Sequence, residues 1–155
     1  MSELKDRINT DKVAAMKAKD QFTLSTLRMA LAAIQTEEVA GKSARELSDA
    51  EVLTVLNREV AKRKDSAEAY TAGNRPELAT KELAEVEVLQ RYLPAALTDE
   101  ELDAIVAAEL AAATADLGEA PTMRQMGLLI KAVNAKVAGR AEGAKVAAKV
   151  KTALA

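Results

Sequence analysis

Residues 89–102 read LQRYLPAALTDEEL, and this stretch divides the chain. Pro94 is expected to end the helix before it, because proline has no amide hydrogen and its ring clashes with the preceding turn. Thr98 and Glu101 then form a capping box, in which each side chain bonds a free backbone amide at the start of a new helix. We therefore predict a boundary between residues 1–94 and residues 95–155.

On both sides of this boundary, apolar residues recur at spacings of three and four, which is typical of amphipathic helices and not of half-buried strands. The composition agrees, since 49% of the residues are hydrophobic and only 2% are aromatic. Alanine, leucine, glutamate and lysine all have high helix propensity. We predict an all-α fold with an N-terminal four-helix part, residues 1–94, and a small three-helix tail domain, residues 95–155.

Local signals place the individual helices. Two further capping boxes are predicted to start helices three and six, at Ser48 with Glu51 and at Thr122 with Gln125. Glycines that follow apolar runs are predicted to end four helices: Gly41, Gly73, Gly118 and Gly139. The predicted buried faces of helices three to five include Tyr70, Leu83, Val86, Leu89 and Leu117.

The chain has no cysteine and no histidine. Disulfides, thiolate metal sites and the commonest general base are therefore excluded. Glu82, Glu85 and Glu87 alternate with apolar residues, and we predict that they form the polar side of helix four and not a catalytic pair. We predict no catalytic residue, no cofactor and no metal.

No apolar run has the length of a membrane span, and residues 1–5 show no signal-peptide pattern. We accordingly expect a cytoplasmic protein with no membrane partner. Phe22, Tyr70 and Tyr92 are the three aromatic residues, too few for a platform on which bases stack. Any contact with nucleic acid would therefore depend on charge and shape.

Charge is segregated within the tail. Residues 94–121 contain seven acidic residues and no basic one, whereas residues 122–155 contain seven basic residues and one acidic one, Glu142. The formal net charge of −2 for the whole chain hides this separation. A basic segment of this kind is typical of proteins that bind polyanions, but it is also typical of a solvated helix face.

The basic segment supplies seven candidates for RNA contact: Lys131, Lys136, Gly139, Arg140, Gly143, Lys145 and Lys149. Lys131 and Lys136 are expected to lie off the apolar stripe of helix six and to face solvent. Lys145 and Lys149 are expected to share a face of helix seven, away from its apolar face, and all four lysines could then neutralise phosphates. The glycines beside Arg140 would let a large partner come close to the backbone. An ordinary link between two helices with scattered surface lysines remains the alternative, and a membrane-surface helix is less favoured because its apolar face would be mostly alanine.

A second basic cluster lies in helix three and consists of Arg58, Lys62, Arg63 and Lys64. Acidic residues stand three or four positions away, such as Glu59 before Arg63, and helical ion pairs form at that spacing. We interpret this cluster as an exposed face with ion pairs along it.

Three stretches together resemble the YqeY family: AAMKAKDQFTLSTLRMALAAI at 14–34, KRKDSAEAYTAGNRPELATKELAEVEVLQRYLPAALTDEEL at 62–102, and MGLLIKAVNAKVAGRAEG at 126–143. The last part of that family is similar to the tail domain of the GatB subunit of tRNA-dependent amidotransferases. The resemblance implies a two-part helical protein whose tail contacts tRNA around Gly139, Arg140 and Gly143. Glu142 stands where the family more often has aspartate, which preserves the charge.

Catalysis is not implied, because the amidotransferase reactions belong to another GatB domain and to a separate glutaminase subunit. Related modules attached to a glutaminyl-tRNA synthetase also indicate tRNA. We expect a non-catalytic accessory module that binds tRNA or another structured RNA, linked to aminoacyl-tRNA charging or amidation, with a synthetase or an amidotransferase as a candidate partner. The alternative is a helical adaptor for a synthetase or a ribosome-associated factor, which would use the acidic fifth helix and the solvent side of helix three.

Overall fold

The computed structural model describes residues 2–155, and within them it contains seven α-helices and no strand. The predicted all-α fold is confirmed. The helices are α1 (Glu3–Lys17), α2 (Gln21–Glu38), α3 (Asp49–Ala72), α4 (Pro76–Gln90), α5 (Asp99–Leu117), α6 (Met126–Val137) and α7 (Gly143–Leu154). A 3₁₀ turn, Met123–Gln125, leads into α6.

The predicted start signals act as expected. Ser48 begins α3 and Thr98 begins α5, each with both halves of its capping box present. Thr122 and Gln125 also form a capping box, but it starts the 3₁₀ turn and α6 follows three residues later. Gly118 ends α5 in the left-handed conformation, with φ at 74°, which glycine adopts without a steric penalty.

The chain forms two compact units, one that ends at Leu93 and one that comprises Pro94–Ala155. In the first unit, α3 packs mainly against α4 and α1 packs mainly against α2. Its core contains fully buried residues from all four helices, among them Ile8, Leu27, Ile34, Leu56 and Leu89. Tyr92 follows α4 and donates a hydrogen bond of 2.6 Å to the Asp11 carboxylate, which joins the end of this unit to α1.

The second unit is a small bundle of α5, α6 and α7. Its core consists of Leu102 and Val106 from α5, of three residues from α6, and of Val146 and Val150 from α7. The three residues from α6 are Leu129, Val133 and Val137. Because these apolar positions recur three or four residues apart, each helix presents one stripe to its two neighbours.

The predicted buried faces were wrong at three positions. Tyr70, Leu83 and Leu117 are exposed, whereas the predicted polar residue Glu85 is buried. On α4, the side that packs on the rest of the unit carries Glu85, Val88 and Leu89, which turns Leu83 towards solvent. The buried side of α4 was predicted from apolar residues alone, and the prediction was wrong in direction because Glu85, a charged residue, lies on that side.

Candidate nucleic-acid interface

The link between α6 and α7, residues 138–142, lies at the centre of the predicted RNA-binding segment. Helix α6 ends because two consecutive residues are left-handed, Ala138 with φ at 50° and Gly139 with φ at 79°. A glycine at 139 was expected to cap the helix, but Ala138 takes that position and Gly139 follows it. The left-handed conformation is unfavourable for alanine by about 1 kcal/mol, so the surrounding contacts must hold this turn in place.

Arg140 supplies those contacts within the second unit. Its Nε donates a hydrogen bond of 2.9 Å to the Ala95 carbonyl oxygen, and its own carbonyl accepts one of 2.9 Å from the Leu97 amide. The two Nη groups of the guanidinium have no hydrogen-bond partner among residues 2–155. The side chain is thus fixed at Nε, while the end of its fork remains available to a ligand.

Helix α7 begins next to this arginine without a side-chain cap. Glu142 occupies the cap position in an extended conformation, and its side chain does not form a cap hydrogen bond with the first amides of the helix. A Cβ placed on Gly143 would meet no atom within 4 Å among residues 2–155 outside its own helix turn and chain neighbours, so the first turn is open to approach. Uncapped amides at a helix N-terminus bind anions, since the N–H groups and the helix dipole both favour negative charge.

Two of the predicted lysines do not contribute free charge. Lys145 lies 2.5 Å from an Asp99 carboxylate oxygen and Lys149 lies 2.7 Å from an Asp103 carboxylate oxygen, so the acids of α5 neutralise both. The hydrogen bond from Lys145 lowers the pKa of Asp99, and the hydrogen bond to Asp103 raises the pKa of Lys149. The expectation that helix seven offers these two positive groups to a polyanion is therefore wrong.

The two lysines of α6 are exposed and form no ion pair among the described residues, 2–155, but they do not converge. Lys131 and Lys136 are five positions apart, which places them about 140° apart around a helix with 3.6 residues per turn. Lys136 lies in the last turn of α6, close in sequence to Arg140. The candidate site therefore narrows to Lys136, Gly139, Arg140 and Gly143.

Two other kinds of feature are absent from residues 2–155. No helix has both the length and the apolar character needed to cross a membrane. No group of three or more acidic side chains is placed to hold a metal ion.

Sequence reasoning missed a charged cluster in the first unit. Arg63 is buried, and its guanidinium bonds the Glu59 carboxylate at 2.7 Å and the Glu85 carboxylate at 2.9 Å. The spacing of four residues between Glu59 and Arg63 predicted the first contact, but nothing local to α3 could indicate Glu85 on α4. The interpretation of this part of α3 as an exposed face is wrong at Arg63.

The Arg63 cluster lies along an open cleft of about 700 Å³ between α2, α3 and α4. Equal numbers of acidic and basic residues line the cleft, namely Glu37, Glu59, Glu82 and Glu85 with Arg58, Lys62, Arg63 and Lys81. Arg58 pairs with Glu37 at 2.9 Å. Because the charges balance, the cleft does not favour an anion such as phosphate over a cation.

Residues 5–154 match the family model described as Yqey-like protein, which accounts for nearly the whole chain. The chain belongs to the YqeY-like family. A protein of Saccharomyces cerevisiae named Altered inheritance of mitochondria protein 41, mitochondrial, is 35% identical to this YqeY-like chain over 91 residues, which are 57% of this chain and 48% of that protein. An uncharacterized protein of Schizosaccharomyces pombe is 35% identical over 81 residues, 52% of this chain and 63% of that protein.

A protein of Lachancea thermotolerans with the same name as the S. cerevisiae protein is 29% identical over 86 residues, 56% of this chain and 46% of that protein. This YqeY-like chain thus spans about half the length of the curated relatives it matches. The expected cytoplasmic location is contradicted, because these relatives are named as mitochondrial proteins. That expectation rested on the absence of a signal pattern and of a membrane span, and neither absence identifies a compartment.

Proposed function

We propose that this protein is a non-catalytic accessory module that binds tRNA or another structured RNA through the α6–α7 link of its second unit. The observation that carries the proposal is Arg140, whose guanidinium is held at Nε by the Ala95 carbonyl oxygen and has no partner at either Nη group within residues 2–155. Beside it, the uncapped first turn of α7 and the open space at Gly143 give a phosphate access to the backbone.

The chemistry of this site suits a phosphate group. Arginine bonds phosphate through two parallel N–H groups, and such charge-assisted hydrogen bonds are roughly twice as strong as neutral ones. Lys136, exposed in the last turn of α6, adds a second positive charge close to the link in sequence. The scarcity of aromatic residues favours a contact with the RNA backbone, and hence recognition by shape, over base stacking.

The acids of α5 restrict the direction from which RNA can approach. Asp99 and Asp103 already neutralise the two α7 lysines, and a phosphate placed there would meet the remaining negative charge of α5. We propose that the RNA lies over the link and the last turn of α6. Lys145 and Lys149 would then have a structural role, holding α7 against α5.

A link to aminoacyl-tRNA charging or amidation follows from the resemblance of the tail to that of GatB, and a synthetase or an amidotransferase would be met through the shared RNA. The absence of cysteine and histidine from the sequence supports a role without chemistry of its own. We propose no cofactor.

Titration of the protein with bulk tRNA at several salt concentrations tests the proposal. Arg140→Ala with Lys136→Ala should weaken binding and reduce the slope of log affinity against log salt by about one for each phosphate that is no longer neutralised. Arg28→Ala with Lys42→Ala removes the same two charge types from the first unit and serves as the matched control. Binding that does not depend on salt, or equal slopes for the two double variants, would contradict the proposal.

Gly143→Glu separates RNA contact from folding. A carboxylate in the first turn of α7 interacts favourably with the helix dipole, so helix stability should be unchanged or higher. The same carboxylate repels phosphate, so RNA affinity should fall. A variant that keeps full RNA affinity would show that the start of α7 is not part of the site.

A further inference from the structure

A groove runs between the C-terminal half of α5 and the N-terminal half of α6, at the end of α6 far from the link. Its volume is about 240 Å³. Six of the nine residues that line it are apolar: Ala112, Ala113, Leu117, Leu128, Leu129 and Ala132. The proposed RNA contact uses none of them.

Two leucines of the groove are exposed to an unusual degree. Leu128 is 73% exposed and Leu117 is 49% exposed, although each is next to a well-packed bundle. Three of the lining residues are alanines, whose small side chains allow another helix to approach closely. Exposed apolar surface gathered at one place, with polar residues at its rim, is typical of a site that another molecule covers.

The charged residues that line the groove are both acidic. Glu109 and Asp116 line it, and no basic residue does. Unlike Asp99 and Asp103 earlier in α5, these two acids form no ion pair within residues 2–155. They are seven residues apart, which separates them by about 10 Å along the helix axis. The surface therefore combines apolar area with two unopposed negative charges two turns apart.

From this complementarity we propose that the groove docks a basic amphipathic α-helix of a partner protein. Such a helix would place leucine-like side chains over Leu117 and Leu128, at positions three or four residues apart, as in other complexes where a helix occupies a groove. Lysine or arginine residues seven positions apart on its flank would face Glu109 and Asp116. RNA is a poor occupant, because its phosphates would meet the same two carboxylates.

The test uses a defined probe, a fluorescent helical peptide of about 18 residues, or five turns, with a leucine stripe and lysines seven residues apart. Two peptides serve for comparison. The scrambled peptide has the same composition in a different order, and the acidic peptide has glutamate in place of each lysine. Binding is measured by fluorescence anisotropy with the whole chain. The first peptide should bind saturably, whereas the scrambled peptide and the acidic peptide should not.

Variants locate the contact. Leu128→Ser should weaken peptide binding at least about tenfold, since it removes most of the burial of one leucine. Asp116→Lys should weaken it further and make the residual binding less sensitive to salt. Leu83→Ser and Glu87→Lys, at exposed positions of α4 in the first unit, are the matched controls and should bind as the unaltered protein does.

Two results would overturn the proposal. One is that the basic peptide shows no saturable binding up to millimolar concentration, or that Leu128→Ser and Asp116→Lys bind it as tightly as the two control variants do. The other is a concentration-dependent dimer in sedimentation that Leu128→Ser abolishes, which would assign the groove to a second copy of this chain. RNA affinity should be unchanged in Leu128→Ser, so failure of the groove and failure of the RNA proposal are distinguishable.

Discussion

Replacement of Arg63 by methionine should destabilise the first unit more than any other single change to a charged residue there. Only 7% of the Arg63 side chain is exposed, and it lies between Glu85, 9% exposed, and Glu59, 17% exposed. The two carboxylates raise the pKa of Arg63 in spite of a burial that by itself lowers it, so the guanidinium remains charged. Arg63→Met would leave the buried Glu85 carboxylate and the half-buried Glu59 carboxylate without the cation that lies between them.

The expected cost follows from the geometry. At an effective dielectric constant of 20, two opposite charges 4 Å apart attract by about 4 kcal/mol, and desolvation offsets much of this when the pair forms. When Arg63 is removed, the carboxylates of Glu59 and Glu85 lose this attraction but remain partly or fully desolvated. The unfolding free energy should therefore fall by about 3 to 5 kcal/mol. Glu85→Gln should cost only about 1 kcal/mol, because the amide oxygen can still accept the hydrogen bond from Arg63 Nε.

Hydrogen exchange of the native protein is the appropriate assay, because the two units need not unfold together. Buried amides of α3 and α4 should exchange with an opening free energy lowered by about 3 to 5 kcal/mol in Arg63→Met, while amides of α6 in the second unit serve as an internal reference. Lys62→Met is the matched control, since Lys62 is exposed and should change stability by less than about 0.5 kcal/mol.

A double variant adds a further check. Arg63→Met combined with Glu85→Leu should recover much of the loss, because a buried ion pair can often be replaced by apolar residues at little cost. The reasoning is refuted if Arg63→Met lowers the opening free energy by less than about 1 kcal/mol, or if α6 amides are affected as strongly as those of α3.

Three other predictions concern separate parts of the protein. Burial, and then the hydrogen bond to Asp11, raise the pKa of Tyr92. Above about pH 10 the unfolded state loses the phenolic proton and the folded state keeps it, so the unfolding free energy should fall as the pH rises further. Urea titrations should show this fall in the unaltered protein and a smaller one in Tyr92→Phe. Asp99→Asn with Asp103→Asn removes two negative charges of α5 close to the proposed site and should increase RNA affinity in the tRNA titration at low salt; an unchanged affinity would show that the acids of α5 do not restrict the approach of RNA. Leu102→Ala, at a fully buried position, should cost about 2 to 5 kcal/mol, seen as faster exchange in α5 to α7 but not in α3.

The parts of the fold that were predictable depend on interactions within a few residues. The capping boxes at Ser48 and Thr98 and the left-handed Gly118 follow from side chains and backbone angles that the local sequence determines. The all-helical class follows in the same way from apolar spacing. Burial was less predictable, because Leu83 has the spacing of a core residue and is exposed, whereas Glu85 has the charge of a surface residue and is buried.

The candidate RNA site shows the same division. The link around Arg140 was predicted from its glycines, its charge and the family resemblance, and it stays a prediction; the structure adds the bond to Ala95 that fixes the guanidinium. The pairing of Lys149 with Asp103 joins residues 46 positions apart. No spacing rule reaches across that separation, so the two α7 lysines were counted as free charges.

By itself, the sequence determined that this chain is helical, where most helices start and stop, and which segment of the tail carries positive charge, because propensity, capping and charge are properties of neighbouring residues. Only the tertiary structure decided which charges remain available. Helix packing places Arg63 between Glu59 and Glu85, pairs the α7 lysines with the α5 acids, and leaves Leu128 exposed in a groove that Glu109 also lines. Electrostatic and apolar contacts act over distances in space, and residues far apart in the chain meet only once the helices have packed.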